Sequence, residues 1–246
     1  MRRALAALLV VGACTPRAST EDRREPTVTD KPPARHAVTI PARTAPPSHL
    51  VVLLHGVGDR ADAFAPIGRA LAPAAPGAEL LVPDGFHPWD GGGDGRQWFS
   101  LQGITPESRA ARVAAAAGEV SPWIDAELAR RKLGPERLVL VGFSQGAILA
   151  SWLATHRAPR PAALVVLSGR AAPDPGVAGG SPFPAFVAHG ARDGVIPIAE
   201  HEPAARALEA AGARVERRVY AGAGHEITER ELGDVAEFLA GALAGR

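Results

Sequence analysis

Nearly uninterrupted apolar runs recur along the chain, and longer stretches with a helical spacing of apolar residues separate them. The runs between residues 50 and 188 are typical of strands that other elements cover on both faces. This pattern predicts seven strands: His36–Ile40, Leu50–Leu54, Leu80–Pro83, Arg137–Val141, Ala163–Leu167, Ala185–Ala188 and Arg214–Tyr220.

The intervening stretches carry apolar residues at the three- and four-residue spacing of amphipathic helices. They predict helices at Ala63–Leu71, Pro106–Arg131, Gln145–Thr155, Ala199–Ala211 and Thr228–Leu243. Alternating strands and helices indicate the α/β class, with a mostly parallel sheet covered on both faces, in one domain over residues 36–246. In such a sheet the reactive side chains lie on loops at the carboxyl ends of the strands.

The first residues follow a different pattern from the rest of the chain. Arg2 and Arg3 precede the apolar run Ala4–Val11, which is too short to span a bilayer as a helix. A basic start, a short apolar run and small residues before a break are typical of a secretory signal. Val11-Gly12-Ala13-Cys14 resembles the bacterial lipoprotein box, so residues 1–13 are predicted to be a signal peptide and Cys14 to be lipidated. A plain signal peptide or a buried N-terminal helix is the alternative.

Residues 14–35 are predicted to be a flexible tether. Thr15–Arg35 carry proline, threonine and charges of both signs, with almost no apolar side chain to bury. A tether between a lipidated cysteine and a folded domain predicts an extracytoplasmic lipoprotein that meets the membrane only through its lipid anchor. A secreted or a cytoplasmic protein is the alternative location.

Charge and cysteine usage restrict the partners. Lys and Arg number 27 and Asp and Glu number 26, which leaves a net charge of +1 and no overall field to attract nucleic acid. The single cysteine excludes an internal disulfide, and no residues have the spacing of a metal site. The sequence therefore predicts no metal, no cofactor and no nucleic-acid partner, and it leaves the oligomeric state open.

A reactive serine is predicted directly after the fourth strand. Arg137–Val141 is followed by Gly142-Phe143-Ser144-Gln145-Gly146, and a helical run comes next. This is the G-x-S-x-G pattern between a strand and a helix, where a tight turn lifts the hydroxyl clear of the sheet. The start of the helix also offers free N–H groups to a developing oxyanion, beginning with that of Gln145. Ser144 is the candidate nucleophile, and a serine that only caps the helix is the alternative.

A serine nucleophile needs a base to take its proton and an acid to hold the base in the correct tautomer. Folds with this turn place the three groups in the chain order serine, acid, histidine. Asp193 follows the strand Ala185–Ala188, and His225 lies in a glycine-flanked turn before the last helix. These two are the candidate acid and base. Asp174 is the rival acid, in a stretch of prolines and glycines.

The chain resembles the bacterial phospholipase/carboxylesterase family of serine hydrolases, which also holds the acyl-protein thioesterases. The stretches that carry the resemblance are Leu53-Leu54-His55-Gly56-Val57-Gly58-Asp59, Gly142-Phe143-Ser144-Gln145-Gly146, Asp193-Gly194-Val195-Ile196-Pro197 and Gly224-His225-Glu226-Ile227. Gly95-Arg96-Gln97-Trp98-Phe99-Ser100 is similar to the branch of bacterial serine esterases that carries this motif. The similarity extends from about Leu50 to Leu243 and implies an α/β-hydrolase fold without a large lid.

The resemblance implies a catalytic triad of Ser144, Asp193 and His225, with the N–H groups of Val57 and Gln145 as oxyanion donors. Two features depart from the family. A secretory N-terminus is unusual for a mostly cytoplasmic branch, and Ala147 stands where many members have another glycine.

Three aromatic residues are candidates for substrate binding. The stretch from His87 to Phe99 resembles the family's loop beside the acyl pocket, and Trp89, Trp98 and Phe99 are expected to wall an apolar slot there. The alternative is that Trp98 and Phe99 belong to the core. The substrates implied are small-molecule esters, or thioesters, of short to medium acyl chains, since both kinds pass through the same acyl-serine.

The predicted function is that of a serine carboxylesterase. A secreted esterase of the feruloyl or polyester type is one alternative. A lipoprotein that uses a hydrolase fold only to bind is the other, because a fold does not determine a function. Relatives without activity usually lack a member of the triad, whereas this chain keeps all three candidates.

Overall fold

The computed structural model describes residues 35–171 and 181–244. The predicted signal peptide, Cys14, the predicted tether except Arg35, and the rival acid Asp174 lie outside the described residues. Among the helices that the structure describes, none has the length and apolar character needed to cross a membrane.

A mostly parallel sheet forms the centre of the domain. In chain order the strands of the described residues are β1 (Ala37–Ile40), β2 (His49–Leu54), β3 (Ala78–Pro83), β4 (His87–Pro88), β5 (Arg96–Gln97), β6 (Leu138–Phe143), β7 (Ala163–Leu167), β8 (Phe183–Gly190) and β9 (Ala213–Tyr220). The central sheet has the order β1-β3-β2-β6-β7-β8-β9, and β4 pairs with β5 in a separate ladder. Strand β1 is antiparallel to β3, and every other pair in the central sheet is parallel. The carboxyl ends of β2, β6, β8 and β9 therefore meet at one edge.

Helices cover both faces of this sheet. They are α1 (Ala61–Leu71), α2 (Pro106–Arg130), α3 (Gln145–His156), α4 (His201–Ala210) and α5 (Glu229–Leu243). Alternate residues of one strand point to opposite faces, so Leu50, Val52 and Leu54 pack with α2, α3 and α4, while Val51 and Leu53 pack with α1 and α5. All five of these β2 side chains are fully buried. Burial on both faces explains why central strands such as β2 are apolar without interruption.

The α/β class and the α/β-hydrolase architecture predicted from the sequence are confirmed, and each predicted strand and helix is present. The largest difference is at β8, which extends beyond the predicted Ala185–Ala188 in both directions. His189 and Gly190 were predicted to be loop residues, but they pair with Val219 and Tyr220 of β9. The predicted strand ends at Ala188 because histidine and glycine interrupt the apolar pattern, although the backbone pairing with β9 continues through both residues.

The excursion between β3 and α2 was predicted least well. Residues 84–105 contain the β4–β5 ladder, which is too short to give an alternating pattern. Helix α4 also begins later than predicted, because residues 198–200 form a single 3₁₀ turn before it. The excursion contains no helix, and the described part of the chain has no insertion large enough for a lid domain.

Candidate active site

Ser144 lies at the sharp turn that joins β6 to α3. Its backbone has φ 54° and ψ −115°, in a region that residues other than glycine rarely adopt. The turn is tight because β6, α3 and β2 approach closely: a Cβ at Gly142 would overlap the backbone of Ala147, and one at Gly146 would overlap the Leu54 carbonyl. The Ser144 N–H donates to the Leu167 carbonyl of β7 at 2.9 Å, which fixes the turn to the sheet.

His225 is close enough to take the proton of this serine. Its Nε2 is 2.9 Å from the Ser144 Oγ, and the histidine side chain is 17% exposed. The ring of Phe143, the residue before the serine, packs against the imidazole with 5.0 Å between the ring centroids. Phe143 therefore restricts the orientation of the imidazole from the strand side.

Asp193 binds the other nitrogen of the same imidazole. The His225 Nδ1 donates to Oδ2 of Asp193 at 2.7 Å, and Oδ1 accepts the N–H groups of Val195 and Ile196, each at 2.8 Å. Burial alone would raise the pKa of Asp193, but the hydrogen bonds from His225, Val195 and Ile196 outweigh it and keep that pKa below its ordinary value. An ionised carboxylate only accepts hydrogen bonds, so the imidazole carries its proton on Nδ1 and its Nε2 lone pair faces Ser144.

The loops that carry the acid and the base are hydrogen-bonded to each other. The Ala191 N–H donates to the Tyr220 carbonyl and the Arg192 N–H to the Ala223 carbonyl, each at 2.9 Å. A Cβ at Gly190 would overlap the Gly224 carbonyl oxygen. Because the two loops approach this closely, the distance between Asp193 and His225 is set by backbone contacts as well as by the side chains.

Two backbone N–H groups at this edge of the sheet have no hydrogen-bond acceptor in the described part of the chain. Gln145 is the first residue of α3, so its N–H has no acceptor within the helix. The Val57 N–H has no acceptor among residues 35–171 and 181–244, whereas the next N–H, that of Gly58, donates to the Arg96 carbonyl at 2.8 Å. The structure thus brings the predicted oxyanion donors Val57 and Gln145 to the same edge of the sheet as Ser144.

The side chain of Gln145 ties the β5 segment to this site. Its Oε1 accepts the Trp98 N–H at 2.9 Å, and its Nε2 donates to the Phe99 carbonyl at 2.8 Å. The Trp98 indole N–H donates in turn to the His55 carbonyl at 2.9 Å. The three segments that contain Val57, Trp98 and Gln145 are therefore joined by buried hydrogen bonds, and we name this set of bonds the oxyanion brace.

The imidazole of His55 adds two hydrogen bonds to the oxyanion brace. Its Nδ1 donates to the Gly56 carbonyl at 2.7 Å, and its Nε2 accepts the Gly85 N–H at 2.9 Å. Burial lowers the pKa of His55, with smaller opposing effects from Gly56, Asp59 and Asp84, so the ring is neutral in the tautomer that these two bonds require. His55 therefore holds the loop that contains Val57 against the start of the 84–105 excursion.

The three predicted substrate-binding aromatics line one cavity of about 640 Å³ between the 84–105 excursion and α2. Trp98 is 1% exposed and Phe99 5%, so most of their surface belongs to the core. Trp89 is 40% exposed, and its ring lies against Gly58 of the loop that contains Val57. Neither Ser144 nor His225 lines this cavity, and a role of the aromatics in substrate binding stays a prediction.

Several contacts at this edge of the sheet were not found by sequence reasoning. They involve Phe143, the amide of Gln145, and Asp90, whose carboxylate accepts hydrogen bonds from Gln97 and Ser100. Each residue stands beside a recognised motif, but no sequence pattern identifies the partner of its side chain. In the described part of the chain, no group of three or more His, Cys, Asp or Glu residues could hold a metal ion.

Comparison with known proteins identifies the family. The model of the family described as phospholipase/carboxylesterase matches residues 35–243, which is nearly the whole of the predicted domain. The chain belongs to this family. The resemblance found in the sequence motifs is thereby confirmed, and this family member is an enzyme that acts on the ester bonds of small molecules.

Individual relatives agree with this assignment. The esterase YpfH of Escherichia coli strain K12 is 34% identical over 187 residues, which cover 76% of this chain and 80% of that protein. The crystal structure of esterase PE8 matches with a TM-score of 0.78 at 28% identity and covers 85% of this chain and 99% of its own. A Bacillus cereus carboxylesterase has a TM-score of 0.73 at 23% identity, covers 86% of this chain and 96% of its own, and supports the fold alone.

Proposed function

We propose that this protein is a serine carboxylesterase in which Ser144 is the nucleophile, His225 the general base and acid, and Asp193 the residue that orients the histidine. The observation that carries the proposal is the continuous hydrogen-bonded series from Ser144 Oγ through both nitrogens of His225 to Asp193 Oδ2, at 2.9 and 2.7 Å. The N–H groups of Val57 and Gln145, which have no acceptor within residues 35–171 and 181–244, are the proposed donors to the oxyanion of the tetrahedral intermediate.

The first half-reaction forms an acyl-enzyme. The Ser144 oxygen attacks the carbonyl carbon of the ester while its proton passes to Nε2 of His225. The carbonyl oxygen becomes an oxyanion that accepts hydrogen bonds from the N–H groups of Val57 and Gln145. When this intermediate collapses, the bond to the alcohol oxygen breaks, and the leaving alcohol takes the proton from Nε2.

The second half-reaction releases the acid. A water molecule attacks the acyl carbon and gives a proton to Nε2 of His225, and the same pair of N–H groups stabilises the second oxyanion. Collapse then breaks the bond to Ser144, whose oxygen recovers the proton from Nε2. Asp193 remains ionised throughout and stabilises the imidazolium in both halves.

The substrates that we propose are esters, and also thioesters, of short to medium acyl chains. The absence of a lid domain from the described residues supports an open site without a long enclosed channel. A thioester would form the same acyl-serine and release a thiol in place of the alcohol. The ester and thioester activities therefore depend on the same three side chains.

The test uses a panel of esters of graded acyl length, and matched thioesters, with the purified domain. We expect kcat/KM to be highest for short to medium chains and to fall for long ones. Ser144→Ala is expected to lower kcat by about 10⁴–10⁶-fold for every substrate while the fold persists. Full activity of the alanine variant would contradict the proposal, whatever the chain-length preference.

We also propose that the enzyme works outside the cytoplasm as a lipoprotein, anchored through Cys14. The basic start, the short apolar run and the lipoprotein box support this location. Two or more acyl chains give stable anchoring, so the folded domain needs no membrane-binding face of its own. We expect Cys14→Ser to leave the membrane fraction or to stay unprocessed. Wild-type protein found in the cytoplasm with Met1 intact would contradict the location and leave the esterase proposal standing.

A further inference from the structure

A second imidazole lies against the carboxylate of Asp193. The Nε2 of His189, at the end of β8, is 3.4 Å from Oδ2 of Asp193, the same oxygen that accepts the hydrogen bond from His225. The side chains of His189 and Asp193 are 1% and 0% exposed, so water does not screen this contact. His189 has no part in the proton transfers described above.

The contacts of His189 show where its proton lies. Its Nε2 is also 2.8 Å from the Ile196 carbonyl, and both of these neighbours can only accept a hydrogen bond. The nitrogen therefore carries a proton and donates to the Ile196 carbonyl, while Oδ2 of Asp193 lies 3.4 Å away, close enough for an electrostatic contact with that N–H. Because Asp193 Oδ1 holds the N–H of Ile196, this residue is bound on its N–H side by the acid and on its carbonyl side by His189.

A third histidine packs against the ring of His189. His201, the first residue of α4, packs against it edge to face with 5.9 Å between the ring centroids. His201 is 6% exposed, and its Nδ1 has no hydrogen-bond partner within the described ranges. The titratable and charged groups that face this pair are Asp193 on the acid loop, Glu202 on α4 and Arg217 on β9.

We propose that His189 is a positioning residue for the acid of the triad. Its N–H holds the Asp193–Ile196 loop in one conformation and takes up part of the negative charge on Oδ2. The inference rests on the proposed function, because it concerns the acid of that same triad. Two consequences follow: without His189 the acid is less well fixed, and the full charge of Oδ2 acts on His225 alone.

A matched pair of variants separates these effects from packing. His189→Met and His189→Gln introduce side chains of the same length, but only glutamine has an N–H that can reach Ile196 and Asp193. For His189→Met we expect kcat to fall about tenfold or more, with a smaller change in KM. The acid limb of the kcat/KM profile should move up by roughly half a pH unit, because Oδ2 then attracts the imidazolium of His225 more strongly.

A spectroscopic measurement observes the same bond directly. The proton between Nδ1 of His225 and Oδ2 of Asp193 lies in a short, charge-assisted hydrogen bond and is expected to resonate far downfield in the proton NMR spectrum. His189→Met should shift this resonance, and His189→Gln should restore its position together with most of kcat. Thermal unfolding of both variants reports whether each one is folded.

His201→Met serves as the control, because it removes a buried histidine from the same cluster without a contact to Asp193. It is expected to lower the unfolding temperature and to leave the acid limb in place. The proposal is overturned if His189→Met keeps the wild-type acid limb and downfield resonance, or if His201→Met moves them equally. If Asp193→Asn itself keeps full activity, the proposed function fails, and that outcome is distinct from either result at His189.

Discussion

The acid side of the active site and its oxyanion side are held together by different kinds of contact. On the acid side, Asp193 binds the N–H groups of Val195 and Ile196, and the loop therefore closes on residues next to one another in the chain. On the oxyanion side, Gln145, Trp98 and His55 join three segments that are far apart in sequence. The hydrogen bonds of Asp193 within its own loop are local in sequence, whereas those of the oxyanion brace join segments that are more than 40 residues apart.

Substitutions on the two sides should therefore have different effects, on activity for the acid loop and on stability for the oxyanion brace. In the acid loop the carboxylate of Asp193 binds the loop's own N–H groups and also has the proposed role of orienting His225, so its loss is expected to affect proton transfer directly. In the oxyanion brace the hydrogen bonds belong to buried side chains, while the proposed oxyanion donors are the backbone N–H groups of Val57 and Gln145. A change in the brace should therefore reduce stability and the precision of the donors but leave the chemistry possible.

The largest effect is expected from Asp193→Asn. An amide at this position favours the tautomer of His225 whose Nε2 is protonated, and such an imidazole cannot take the proton of Ser144. We expect kcat to fall by about 10⁴-fold with the fold retained, measured by steady-state ester hydrolysis and circular dichroism.

Asp174→Asn is the matched control for this prediction, since Asp174 is the rival acid from the sequence. It should keep activity close to that of the wild type. If Asp174→Asn lowers kcat more than Asp193→Asn does, Asp193 is not the acid of the triad.

An intermediate effect is expected from Gln145→Met, which keeps the length of the side chain and removes both amide hydrogen bonds of the brace. The Trp98 N–H and the Phe99 carbonyl are then buried without partners, at a cost of about 1–3 kcal/mol in the free energy of unfolding for each group. The activity should fall less than for loss of an oxyanion donor, which costs about 10²–10³-fold.

Urea unfolding and kcat of Gln145→Met measure the two effects separately. Gln102→Met, at an exposed position of the excursion, is the control and should change neither. A Gln145→Met variant as stable as the wild type would show that the brace does not hold these segments.

The smallest effect on activity is expected from Glu231→Gln. Glu231 is a buried residue in the first turn of α5, the helix that follows the loop with His225. Burial raises the pKa of Glu231 to about 7, and the charges of Asp234 and Glu226 raise it further, against a smaller opposing effect of the Thr228 backbone. In the unfolded chain the carboxyl ionises near 4.5. The folded state therefore holds this proton more tightly than the unfolded chain does. Its contribution to the free energy of unfolding is fully present below pH 4.5 and is lost as the pH rises through about 7.

Glu231→Gln should consequently be more stable than the wild type at pH 8, by at most about 3 kcal/mol, and equal to it near pH 4.5, with kcat unchanged. Unfolding by urea at several pH values tests this. Glu237→Gln, on the exposed side of α5, should show no such pH-dependent gain. A constant difference between Glu231→Gln and the wild type across pH would contradict the account.

The same contrast explains what the sequence could predict. Strands β2, β3, β6, β7 and β8 were predictable because each is an apolar run that is largely buried on both faces. Ser144, Asp193 and His225 follow β6, β8 and β9 in the order that the fold requires. The ladder of β4 and β5 was not predictable, because two-residue strands have no period. The hydrogen-bond partners of the Gln145 and His189 side chains are backbone groups of other segments. Which groups these are depends on the folded structure, and no pattern in a single sequence indicates them.

The most direct test of the central claim is covalent labelling of the nucleophile. A fluorophosphonate reacts with a serine only when a neighbouring base activates it, so it reports the assembled triad without any choice of substrate. We predict one adduct per protein molecule, mapped by mass spectrometry to the peptide that contains Ser144, and no adduct in Ser144→Ala. Labelling that persists undiminished in Ser144→Ala would contradict the assignment of this serine as the nucleophile.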